Sequence, residues 1–233
     1  LAQDTGYKTS MTNKNTIMAV LEKDLMSEMR SRYAISAVFL FIMTTVTMIL
    51  IGTKGEDIEP GLAAGIIWVI MFFSSMMGLS RAFVSEEERG TSFLLQLSVS
   101  SSSVYYGKLI FNVILSIVLN TLAVILFFLF IYHQSIKFFN IFLLTHILGS
   151  IGIAAASNII SAIIAKANTK GALFPVLAFP ILLPLIFIGI DATKIALEGK
   201  MQADAWSDIQ LMLAFCGIII SLSYILFDLV WKE

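Results

Sequence analysis

Six apolar stretches limit what this chain can fold into: Tyr33–Ile51, Pro60–Val84, Val104–Tyr132, Ile141–Ala165, Leu173–Ile190 and Ile209–Val230. Each is about as long as the ~20 residues that a helix rising 1.5 Å per residue needs to cross ~30 Å of hydrocarbon. Lipid offers no partner to a backbone N–H or C=O, so only helices and closed barrels span it. Barrel strands alternate over about 10 residues, whereas these runs are continuously apolar. The expected fold is therefore all-α, a polytopic membrane protein with six transmembrane helices. Composition agrees, with 58% hydrophobic and 13% charged residues and a mean hydropathy of +0.90. A formal charge of −1 provides no clustered basic surface for nucleic acid. One cysteine, Cys216, permits no internal disulfide and no Cys-rich metal motif.

Residues 1–16 are polar, show no apolar period and are expected to form a disordered tail, with Met11 or Met18 as candidate natural starts. From Ile17 the pattern changes. Ile17, Leu21, Leu25 and Met29 recur every four residues with Glu22, Lys23, Asp24 and Glu28 between them, which predicts an amphipathic helix on the membrane surface. Residues 17–231 then form one transmembrane domain. The first apolar run is expected to stay as an anchor, because more than 30 residues precede it and no small-x-small cleavage site follows Ile51. Lys and Arg divide eleven to four between alternate sides of the six spans. By the positive-inside bias, both termini and the loop 81–108 are expected in the cytoplasm. A loop over 191–208, with room for a short helix, is expected outside.

The fourth run carries Ser150, Gly152, Ala154 and Ala156, small residues at fourfold spacing that let helices approach closely in lipid. The fifth carries Pro175, Pro180 and Pro184 and is expected to kink or unwind locally. Two histidines have candidate roles as haem or polar-path residues: His146 inside the fourth run and His133 at the outer end of the third. A lone histidine in either place is more often a packing or surface residue.

The sequence carries no motif for an energy-converting reaction of its own. Gly107-Lys108 lacks the glycine spacing and the Ser/Thr of a nucleotide-binding loop, and H-E-x-x-H, Cys pairs and G-x-S-x-G are absent. No apolar run holds a pair of ionisable residues near its middle, which argues against ion-driven transport. The loop Arg81–Lys108, RAFVSEEERGTSFLLQLSVSSSSVYYGK, then stands out. Its adjacent charges Glu86, Glu87, Glu88 and Arg89 exclude it from hydrocarbon, at about 2.5–3.5 kcal/mol for each charge placed mid-membrane. Ser85 and Glu88 have capping-box spacing, Gly90 ends that turn, and Thr91 can cap a second short helix bearing Phe93, Leu94, Leu95 and Leu97. The alternative is an ordinary solvated loop.

This run of acidic residues, Gly-Thr, a leucine-rich turn, a small-residue break and Gly-Lys leading the third span resembles the cytoplasmic loop of type-2 ABC exporter permeases. The surface helix, six spans and short fourth-to-fifth connection are also similar. Within that group the length and the fifth run look most like the B-subunit family of the cytochrome c maturation complex (CcmB, haem exporter protein B). The pattern departs at Ser92-Phe93, where an acidic residue is usual, and at Val99, where proline is usual.

The resemblance implies a permease subunit of the bacterial inner membrane that is not itself an enzyme. In that family the loop is a coupling helix docking on a CcmA-like ATPase subunit, which here implies Glu86, Glu87, Glu88, Arg89, Gly90, Thr91, Leu94, Leu95 and Leu97 as the interface. Lys166 and Lys170 are a candidate second contact. It implies a CcmC-like haem-handling membrane protein as further partner, a homodimer, ATP on the partner, haem in the complex, and no cofactor or metal on this chain. ATP hydrolysis would serve haem handling or release of the haem-loaded chaperone. The alternatives are a permease for a lipid, glycan or drug, or a membrane scaffold without energy coupling.

Overall fold

The computed structural model describes residues 4–80, 83, 86, 90, 91, 95, 97–166, 173–199 and 202–232. They form seven helices and no strand: α1 (Asp4–Ser31), α2 (Tyr33–Thr53), α3 (Pro60–Leu79), α4 (Ser101–Phe130), α5 (Phe139–Lys166), α6 (Leu173–Glu198) and α7 (Gln202–Lys232). Helices α2 to α7 are the six long and apolar enough to cross a membrane. One end of the bundle carries α1, the residues between α3 and α4, and the C-terminus of α7.

Three local expectations change. The stretch 1–16, expected as a disordered tail, is helical from Asp4. Once residues after Ile17 form a helix, polar residues before it extend an existing ladder and incur no new nucleation cost. The expected loop 191–208 contracts to a turn at Gly199, because α6 continues to Glu198 and α7 begins at Gln202. Charge excludes a segment from hydrocarbon but not from a helix. Asp191, Lys194 and Glu198 have the i, i+3 and i, i+4 spacing that supports one in water, while Ala192, Ala196 and Leu197 are buried against the bundle. The backbone N–H groups of Lys137 and Phe138 both donate to the Ala196 carbonyl, at 3.1 and 3.0 Å, which fixes the α4–α5 connection to this extension. Helix α6 also stays helical through Pro180 and Pro184, so of the two expected effects of the prolines local unwinding does not occur.

Helix α5 is the centre of the bundle. In its most apolar window 78% of residues are buried, against 17% for α2 and for α7, and it packs on α3, α4, α6 and α7. Residues 152–162 are all buried, so the small-residue stretch forms its packing face. Trp68 of α3 is wedged between α5 and α6. A Cβ at Gly149 would stand 2.7 Å from the indole, and one at Gly189 would overlap it, so the two glycines make the slot. The indole Nε1 donates to Thr193 Oγ1 at 3.0 Å, satisfying the one polar atom of the wedge.

A polar stripe joins α4 to α5. Asn112, Ser116 and Asn120 recur every four residues on α4 and face Ser150 and Asn158 on α5. Asn112 Nδ2 donates to Asn158 Oδ1 at 2.9 Å, Ser116 Oγ to the Ser150 carbonyl at 3.1 Å, and Asn120 Nδ2 to Ser150 Oγ at 3.1 Å. Asn120 Oδ1 accepts from Ser75 of α3 at 3.0 Å and from Ser74 at 3.3 Å, so one side chain ties three helices together. Interhelical hydrogen bonds in membranes average about 0.6 kcal/mol. Asn120→Leu is therefore expected to cost about 1–2 kcal/mol across these contacts, read as a lowered midpoint in detergent-mixture unfolding. An unchanged midpoint would mean that the stripe contributes little.

Candidate functional site

The site is built where α1 crosses the start of α4. A Cβ at Gly107 would lie 2.8 Å from Val20 Cβ and 3.1 Å from the Ile17 carbonyl oxygen, so the helices touch backbone to backbone there. Val20 is buried and Leu21 and Leu25 pack partly against the core. Met29, expected on the same stripe, is 71% exposed. A fourfold repeat on a helix of 3.6 residues per turn drifts about 40° per step, which carries Met29 about 120° round from Ile17.

The next residue, Lys108, is fully buried at the head of α4. Its Nζ lies 3.2 Å from Asp24 Oδ2 and 3.1 Å from Glu86 Oε2. The Glu86 contact lacks hydrogen-bond geometry and acts as a charge pair. Lys23 donates to Glu86 Oε1 and lies 3.2 Å from Asp24 Oδ1. Two ammonium groups and two carboxylates therefore alternate across three segments: α1, the loop and α4. Phe83 lies beneath, with Lys108 Nζ 4.6 Å from its ring centroid. Partial burial acts to lower the Lys23 pKa, but the Asp24 and Glu86 carboxylates outweigh it and hold the value above the ordinary lysine range. The half-exposed Lys23 pairs are worth little individually. The buried Lys108 is different, since removing one partner of a buried pair typically costs about 3–5 kcal/mol.

Beyond this root the chain turns outward. The Thr91 N–H and Oγ1 both donate to the Glu86 carbonyl, at 3.0 and 3.3 Å, and Gly90 takes φ +66° at the tip. Leu95 N–H donates to the Thr91 carbonyl and Val99 N–H to the Leu95 carbonyl, as a second helical turn starting at Thr91 requires. Leu95 and Val99 pack partly against the core, while Gly90 and Thr91 are exposed and Leu97 is 71% exposed.

The interface residues read from the sequence thus divide. Gly90, Thr91 and Leu97 face outward and Leu95 supports them. Glu86 differs from expectation: it is buried, its carboxylate turned into the protein by two lysines. Glu87, Glu88, Arg89, Leu94 and Lys170, with the Ser85 cap, lie outside the described residues. Lys166 ends α5. His133 is exposed in the α4–α5 connection at the other end of the bundle, and His146 is buried about two turns into α5, its Nε2 3.0 Å from Thr121 Oγ1. No group of three or more His, Cys, Asp or Glu able to hold a metal occurs among the described residues. Lys23, Asp24, Phe83 and Lys108 were not identifiable as a unit in the sequence. One signal existed: Asp24 lies seven residues after Ile17, on the same helix face, and a carboxylate on a buried face requires a partner.

The family model described as CcmB protein matches residues 15–227, from α1 through nearly all of α7. No curated protein matches the chain.

Proposed function

The chain belongs to the CcmB family and is a multi-pass membrane component of the cytochrome c maturation haem exporter system; on that premise, we propose that it receives force from a separate ATPase subunit through the segment between α3 and α4. The observation that supports this is the contrast within that segment. Its tip exposes Gly90, Thr91 and an apolar Leu97, while its root is held by the buried Lys108 and by Glu86. A partner needs an accessible apolar contact to grip, and a stroke is useful only if the gripped element is rigidly tied to the spans.

In this reading α1, the loop and both termini lie on the cytoplasmic side of the bacterial inner membrane, as the eleven-to-four distribution of Lys and Arg favours. The partners are a CcmA-like ATPase, which carries ATP, and a CcmC-like haem-handling membrane protein, with a second copy of this chain completing a dimer. The stroke serves haem handling or release of the haem-loaded chaperone. His146, held by Thr121, acts as a packing residue, and no cofactor is assigned to this chain.

Purification in mild detergent is expected to recover an ATP-hydrolysing subunit with the wild-type chain, and Leu97→Asp and Thr91→Arg are each expected to lose most of it. Full retention by both variants would contradict docking at this tip. A wild-type preparation without any ATPase would contradict the coupling reading itself, and normal holo-cytochrome c in a deletion strain would move the cargo to a lipid, glycan or drug.

A further inference from the structure

We infer that Phe83 is a positioning residue that carries displacement of the α3–α4 segment into α7; this rests on the coupling reading above and names the route inside the chain. Phe83 is buried, 3% exposed, between the end of α3 and Glu86. Its ring meets Phe227 at 5.5 Å and the edge of Trp231 at 6.2 Å, both on α7. Phe227 and Trp231 stack on each other at 5.4 Å, and Phe227 also packs on Tyr105 of α4 at 5.5 Å. Two polar ties run parallel: Ser101 Oγ donates to Asp228 Oδ1 at 2.6 Å, and Tyr105 Oη donates to the Ile220 carbonyl at 2.9 Å.

The geometry gives Phe83 two neighbours with opposite roles. On one side is the Lys108 ammonium, fixed by Asp24 and Glu86; on the other is the aromatic group of α7. A shift of Glu86 that reorganises the charge cluster must also move Phe83, because Lys108 contacts both. Close-packed rings cannot deform continuously and must move with Phe83 or repack. The C-terminal portion of α7, Tyr224–Trp231, is the part held by this group, while Ala205, Met212 and Cys216 are buried further along the same helix. Its other end joins α6 at the Gly199 turn on the opposite side of the bundle. Displacement at the loop root is thereby delivered across the full thickness of the spans.

A purely space-filling Phe83 makes a different prediction, and fluorine NMR separates them. The chain has three tryptophans, and Trp231→Phe assigns the signal of Trp231 in the fluorotryptophan-labelled complex. ATP is expected to shift that signal in the wild-type complex with its ATPase. Phe83→Leu keeps the side chain apolar but removes the ring, so it is expected to abolish the shift while the ATPase still co-purifies, and Phe83→Tyr is expected to restore it. If Phe83→Leu lowers the melting temperature of the chain, Trp231→Leu tests the same route from the other side, with loss of ATPase stimulation as the expected result. A retained ATP-dependent shift in Phe83→Leu, or full stimulation in Trp231→Leu, would overturn the inference. A wild-type complex that binds the ATPase but shows no shift at Trp231 would also overturn it, whereas failure to recover any ATPase bears on the coupling reading instead.

Discussion

Lys108→Met is expected to destabilise the chain by about 3–5 kcal/mol, the usual cost of removing one partner from a buried ionic group. Lys108 is fully enclosed, and its loss leaves Asp24 and Glu86 facing each other with only the half-exposed Lys23 to balance them. Helix α1 and the loop should then separate from α4. A cysteine placed at Val20, buried against Gly107 in the native chain, is expected to become reactive to a water-soluble maleimide. The cause can be isolated with the neutral combination Lys108→Met, Asp24→Asn and Glu86→Gln, which removes the orphaned carboxylates as well. That triple variant is expected to be more stable than Lys108→Met alone, a non-additivity diagnostic of a shared charge group. Equal instability of both would assign the effect to the packing of the lysine stem. The pH dependence has a definite sign. The Lys23 pKa is raised in the folded chain, so its contribution is fully present below the ordinary lysine value of 10.5 and is lost as pH rises through the higher folded value. In a chain carrying only the Val20→Cys change, the maleimide reaction should therefore stay slow across the neutral range, where Lys23 keeps its charge.

The second large effect lies in the Trp68 slot. Trp68→Ala is expected to cost about 3–5 kcal/mol. Lipid already solvates apolar groups, so this comes from lost packing and from the orphaned Thr193 hydroxyl rather than from water exposure. Gly189→Ala probes the same slot from the opposite wall. Its methyl group would overlap the indole, and overpacking of this kind costs about 1–3 kcal/mol. In a Trp68→Phe background the second ring of the indole is gone, so Gly189→Ala should cost markedly less there. Thermal unfolding in detergent of the four chains of this cycle provides the measurement, and strict additivity would show that the two residues do not share the slot.

These two effects mark what the sequence reveals and what it hides. The spans were legible because lipid imposes one constraint, apolar length, that each run satisfies without reference to the others. The ends of α6 and α7 were not, since Asp191 to Asp208 reads as a break in hydropathy although its charges and alanines are compatible with helix. The small residues of α5 announced a packing face, but their principal occupant, Trp68, lies some 80 residues earlier. The turn at Gly90 was legible from the glycine itself, which takes φ +66° there. The inward turn of Glu86 left no trace in its own stretch, since consecutive glutamates suggest a solvated face and its two lysines come from residues 23 and 108. Long-range pairing of this kind leaves only the faint trace of Asp24 on the buried face of α1.

Docking of an ATPase at the tip of the α3–α4 segment can be captured in place. Photocrosslinking from a benzoyl-phenylalanine at position 97, in native membranes, tests it most directly. A nucleotide-binding subunit is expected as the principal protein adduct, reduced when Thr91→Arg is added. Adducts with lipid alone, or with proteins that bind no nucleotide, would contradict it.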